Sequence, residues 1–116
     1  MSLQTVTLTW NLSDFLQVAV GKAMITVSPD TQVAIQSAGQ IVVPQPRSRT
    51  FTGGSGSLSG IVATDNTGMS PATFNYLISV INAVDTRQVL VPQFSTPIAF
   101  ANGATQDLAD ILAAVL

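Results

Sequence analysis

A chain of 116 residues is long enough to bury one hydrophobic core and too short for two ordinary ones, so a single domain is expected. Its four basic and six acidic residues, the latter all aspartate, leave a net charge of −2; this excludes a basic stripe for phosphates, and with it nucleic-acid binding driven by counterion release. With neither cysteine nor histidine, the chain cannot build a disulfide framework, the usual zinc spacings, or a Ser-His-Asp or Cys-His constellation, so neither catalysis nor a cofactor is expected.

Apolar residues reach 47%, yet no window approaches the ~18 uninterrupted apolar residues of a spanning helix, so membrane insertion is not expected. The first residues lack the basic cluster and apolar run of a secretory signal. The absence of Glu and scarcity of Lys argue against exposed helix faces, while abundant Val, Ile and Thr favour strands.

In chain order, Gln4 to Trp10 alternates strictly, with Val6, Leu8 and Trp10 on one face and threonines on the other, which predicts a half-buried strand. Asn11 to Asp14 supplies turn chemistry, residues 15–20 fit either a strand or a packed connection, and Lys22 to Ser28 reads as a second strand closed by Pro29-Asp30. Gln32 to Ile35 and Gln40 to Val43 are spaced for a hairpin with a four-residue loop, ended by Pro44 and Pro46. Arg47 to Gly60 reads as a glycine-rich loop or edge segment. From Ser57 to Ala63 pairing resumes, with Leu58, Ile61 and Ala63 inward after a kink at Gly60.

Thr64 to Pro71 concentrates turn residues before Thr73 to Asn82, where Phe74, Tyr76, Ile78 and Val80 share one face. The opposite face is half apolar, which predicts a central strand covered partly on both sides. Arg87 to Gln93 is expected as its antiparallel partner, with Pro92 confining it to an edge or a strand end. From Thr105 the period changes: Leu108, Ile111, Leu112 and Val115 fall at helical spacing. Roughly seven short strands with Gly, Pro and Asn/Asp turns predict an antiparallel β-sandwich over residues 1–104, and residues 105–116 a short C-terminal helix that docks or oligomerises.

Few side chains suggest chemistry. Gly53-Gly54-Ser55-Gly56 lacks the Lys-Ser/Thr ending of a phosphate loop, and Asp65-Asn66-Thr67-Gly68 lacks the ligands of a calcium loop, so both read as turns. Asp107 and Asp110 would suit acid/base work on a helix face, but acidic residues in a first helical turn are explained by the macrodipole. Trp10, Phe74 and Tyr76 would suit a sugar platform, but their Val, Leu and Ile neighbours indicate a core. Arg47 and Arg49, between prolines and Phe51, are the one locally charged, exposed feature and a candidate partner contact.

The run Gly60-Ile61-Val62-Ala63-Thr64-Asp65-Asn66-Thr67-Gly68-Met69-Ser70-Pro71, then Phe74-Asn75-Tyr76 and Asp107-Leu108-Ala109-Asp110-Ile111-Leu112, resembles the N-terminal domain of bacteriophage minor tail and tail-fibre proteins. That pattern has a strand leading to an acidic turn, an aromatic strand and a closing helix start; Asn66 stands where it has a second Asp. The resemblance implies a virion tail module, made in the host cytoplasm, that attaches or spaces a receptor-binding fibre or baseplate component. It implies as partners other tail and baseplate proteins, or further copies in a homotrimer. The apolar stripe Leu108, Ile111, Leu112 and Val115 would then pack on the sandwich or begin an inter-subunit bundle. An adhesin-like sandwich binding a host-surface glycan is the alternative, favoured by an exposed aromatic.

Overall fold

A computed structural model of the chain describes residues 3–14, 21–37 and 39–115. The expectation for residues 15–20 lies outside the described residues. Among those described, ten strands form three sheets, and the chain is a mostly β, sandwich-like fold ending in one short helix.

Strand β1 (Thr5–Asn11) lies between β10 (Thr105–Asp107) and β6 (Ser55–Val62). The facing sheet runs β5 (Arg47–Thr52), β2 (Lys22–Pro29), β8 (Tyr76–Asn82), β9 (Val89–Thr96). A third, small sheet orders β4 (Gln40–Val42), β3 (Ala34–Ser37) and β7 (Met69–Ser70). Period-2 alternation decides what goes inside: Val6, Leu8 and Trp10 from β1 meet Ala23, Ile25 and Val27 from β2 and Tyr76, Ile78 and Val80 from β8 in one buried cluster. The clearest bridges between the two large sheets are the tilted Trp10–Phe51 ring pair, with centroids 5.1 Å apart, and the Tyr76 hydroxyl, which donates to the Val62 carbonyl at 2.7 Å.

Strand β8 is central, with its inner face buried and its outer face half-covered, as its composition predicts. Strand β9 is an edge, and its register against β8 slips between Ile78↔Phe94 and Val80↔Val91. Pro92 falls in that slip, where its missing N–H costs no ladder bond. The kink expected at Gly60 is a β-bulge: Val6 pairs with Ile61 and Leu8 with Leu58, and Gly60 has φ 75°.

One expectation is decided and two are corrected. Of the two readings of residues 47–60, loop or edge segment, the edge reading holds: they contribute two edge strands, β5 and β6, reversed at Gly53-Gly54 with φ of 75° and 79°. Consecutive positive φ values are the geometry that glycine pairs supply in tight reversals, so the low-complexity stretch encodes a turn rather than mobility. The hairpin of β3 and β4 pairs Ser37 with Gln40, a tighter connection than four residues. Residues 105–107 are a strand, not a helix start, and β10 runs parallel to β1, an exception to the otherwise antiparallel pairing. The helix α1 therefore begins at Leu108 and ends at Val115.

The long turn after β6 is held by one amide. Asn66 Oδ1 accepts from the Gln4 N–H at 2.7 Å, and its Nδ2 donates to the carbonyls of Gln4 at 3.0 Å and Ala63 at 2.8 Å. An aspartate here would set a carboxylate oxygen against two carbonyl oxygens. Asn66→Asp is expected to cost about 2–4 kcal/mol at neutral pH, because it replaces two donated bonds by repulsion at a buried site. Urea denaturation at pH 7 would read this, and a variant within 0.5 kcal/mol of wild type, roughly the scatter of surface substitutions, would contradict it.

Candidate functional site

The two lateral edges of the sandwich carry the features with chemical potential. One edge is the cleft bounded by β9, β10 and α1. Its volume is about 410 Å³, and Asp107 and Asp110 border it together with Thr105, Pro97, Ile111 and Val115. The strand-to-helix junction explains this placement. Asp107 ends β10, and its Oδ2 accepts from the Ala109 N–H at 3.2 Å, capping the first turn of α1. Its Oδ1 accepts from the Thr9 hydroxyl at 3.1 Å, which ties β10 to β1. Asp110, one turn further on, is exposed and makes no hydrogen bond or ion pair among the described residues. The structure thus brings the two carboxylates to one concavity, but through a strand end and a helix rather than one helical face, and both oxygens of Asp107 hold the fold.

The predicted helical stripe divides. Leu108 is fully buried and Ile111 nearly so, both in the chain's own core. Leu112 packs partly against that core, and Val115 is 42% exposed. Val115 and part of Leu112 are open to a partner, and Ile111 shows only the edge that borders the cleft.

The opposite edge carries Arg47 and Arg49 on β5. They pair with Val27 and Ile25, whose side chains are buried, so both arginines occupy inward positions of an edge strand while remaining exposed. Arg47 Nη1 donates to the Ser59 carbonyl at 2.5 Å, linking β5 to β6 across the seam between the sheets. Arg49 makes no such bond and, with Lys22, lines a shallow cleft of about 330 Å³ that Phe51 and Gly56 floor. Sequence reading placed the two arginines in a loop or edge segment and left that choice open. The alternation Arg47, Arg49, Phe51 was the available signal that they share a strand face, and the neighbouring glycines masked it.

Beneath this edge, burial pushes the Tyr76 phenol above its ordinary value, an effect the nearby Arg47 charge partly offsets. The native state therefore keeps a proton that the unfolded chain loses. Stability from this group is complete below pH ~10, the unfolded value, and falls as pH rises beyond it. Tyr76→Phe is expected to flatten the alkaline limb of a stability–pH curve while costing about 1 kcal/mol at neutral pH for the lost hydrogen bond. An alkaline limb of unchanged slope in Tyr76→Phe would show that another group carries it.

The remaining candidates hold the chain to itself. Asp65 accepts from the N–H groups of Phe100 at 2.9 Å and Ala101 at 3.1 Å, fixing a short helical turn rather than a cation. Gln106 Nε2 donates to the Ala99 carbonyl at 2.6 Å, a tie that nothing in the sequence announces. Trp10, Phe74 and Tyr76 are all buried, so none offers a sugar-stacking face. Among the described residues no group of three or more acidic side chains could hold a metal ion, and no helix is long and apolar enough to cross a membrane. No family model, curated protein or solved structure matches this chain.

Proposed function

We propose that this chain is a non-catalytic structural module of a phage tail, attaching or spacing a receptor-binding component of the fibre or baseplate. The observation that carries the reading is the use of its polar side chains: Asp65, Asn66, Asp107 and Gln106 each bond the chain's own backbone and fix its loops. Side chains committed in this way set the shape of a scaffold and are poorly placed to turn over a substrate. Burial of Trp10, Phe74 and Tyr76 supports a spacer over a glycan-binding adhesin domain, since lectin-like recognition stacks a sugar on exposed rings and Phe100, at 38%, is the exposed aromatic among the described residues. The resemblance of residues 60–76 and 107–112 to phage tail domains supplies the setting.

The test has two arms. Antibody against the chain should label the tail of virions produced from the replicon that encodes it, and virions without label would overturn the virion assignment. A glycan array should give no binding; a sugar retained at sub-millimolar affinity would replace the spacer reading by the adhesin one.

A further inference from the structure

Basic residues gather at one edge of this molecule. Three of its four basic residues, Lys22, Arg47 and Arg49, lie on the adjacent strands β2 and β5. The sheet order places β5 and β6 at one lateral edge of the sandwich, and β9 and β10 at the other. Asp107 and Asp110 border the cleft at that second edge, and no basic residue lines it.

Inward-pointing charges on an edge strand deter ordinary pairing, because a neutral incoming strand would strip water from the guanidinium groups without replacing it. They do not deter a groove that supplies carboxylates. The α1 cleft offers such a groove, with Asp110 unengaged among the described residues and Pro97, Ile111, Ala114 and Val115 as apolar wall. Arginine stems can lie along apolar wall while their heads meet carboxylates in charge-assisted hydrogen bonds. Among the described residues Arg49 has no partner, and Arg47 has committed only one of its N–H groups.

We propose that copies of this chain associate head to tail, with Arg47 and Arg49 on the β5 edge of one copy seated in the cleft that Asp107 and Asp110 border on the next. The two surfaces differ and lie on opposite edges of one molecule, so the contact is heterologous and propagates into a ring or an open row. It goes beyond the tail-module reading and does not depend on it, since the complementarity is a property of the chain wherever it resides.

Sedimentation velocity on the full chain tests this. At low salt the species should be heavier than the 12.1 kDa protomer. Raising salt from roughly 20 mM to roughly 500 mM should weaken association tenfold or more, as screening shortens the reach of exposed charges. Arg49→Glu and Asp110→Lys should each lose association, with circular dichroism confirming the fold; Asp110→Asn serves as the milder variant if the lysine unsettles the helix. An equimolar mixture of Arg49→Glu and Asp110→Lys should associate again, because each supplies the surface that complements the other. A wild type monomeric at low salt, association that strengthens with salt, variants that associate as wild type does, or a mixture that stays monomeric would each overturn the proposal.

Discussion

Leu108→Ala is expected to remove about 3–5 kcal/mol of stability, a large share of the roughly 5–15 kcal/mol a domain of this size possesses. Leu108 opens α1 and is fully buried in the main core cluster. The eight-residue helix is too short to hold itself together in water, so its geometry depends on this contact and on Ile111 beside it. The cavity left by truncation would lie where α1 meets β1, β9 and β10, the element pairs with which the helix makes its contacts. Removing residues 105–116 is a harsher version of the same change. It deletes the parallel partner of β1 as well as both buried side chains, and exposes the β1 edge along Thr7, Leu8 and Thr9. That truncated chain is expected to be unfolded or aggregated rather than a smaller monomer. Urea denaturation followed by Trp10, the single tryptophan, gives the readout. If Leu108→Ala shifted stability by less than about 1 kcal/mol, below any buried leucine truncation, the helix would not be docked as the structure has it.

Why the strands were legible and their edges were not follows from how each signal arises. Strict alternation in Gln4 to Trp10 and Thr73 to Asn82 reports burial of one face, and burial is what the structure shows at Val6, Leu8, Trp10, Tyr76, Ile78 and Val80. Pro92 at an edge and Gly60 at a bulge were readable because a missing N–H and a missing Cβ have few other uses in a strand. Strand β5 hid itself because, of its six residues, only Phe51 is buried. An edge strand with inward arginines gives no apolar alternation. The period-3.6 spacing of Leu108, Ile111 and Leu112 identified the helix, yet the parallel pairing of Thr105 to Asp107 with β1 is a long-range event that no local pattern encodes. The cleft beside Asp107 and Asp110 depends on that pairing, so its concavity was out of reach, although the residues themselves were visible.

Gly56→Ala is expected to destabilise the fold by about 1–3 kcal/mol, and by less than half that in a Trp10→Phe background. Gly56 on β6 stands directly opposite Trp10 on β1, and the indole lies over the glycine as aromatic rings commonly cover bare backbone in sheets. A β-carbon at position 56 would stand 2.9 Å from Trp10 Cζ2 and 3.1 Å from Cε2. The ring cannot slide away freely, because Trp10 is 2% exposed and packs against Phe51 on the other sheet. Trp10→Phe alone should cost little. The indole N–H is buried with no hydrogen-bond partner among the described residues, so replacing it removes an unsatisfied donor, worth about 1–3 kcal/mol, which offsets the smaller ring's lost contacts. The nearest clashing atom, Cζ2, has no counterpart in phenylalanine, so the two substitutions must couple. A double-mutant cycle in urea, followed by far-ultraviolet circular dichroism because the fluorophore is gone, measures that coupling. Strictly additive costs would mean that the strain at position 56 arises from the backbone and not from the ring above it.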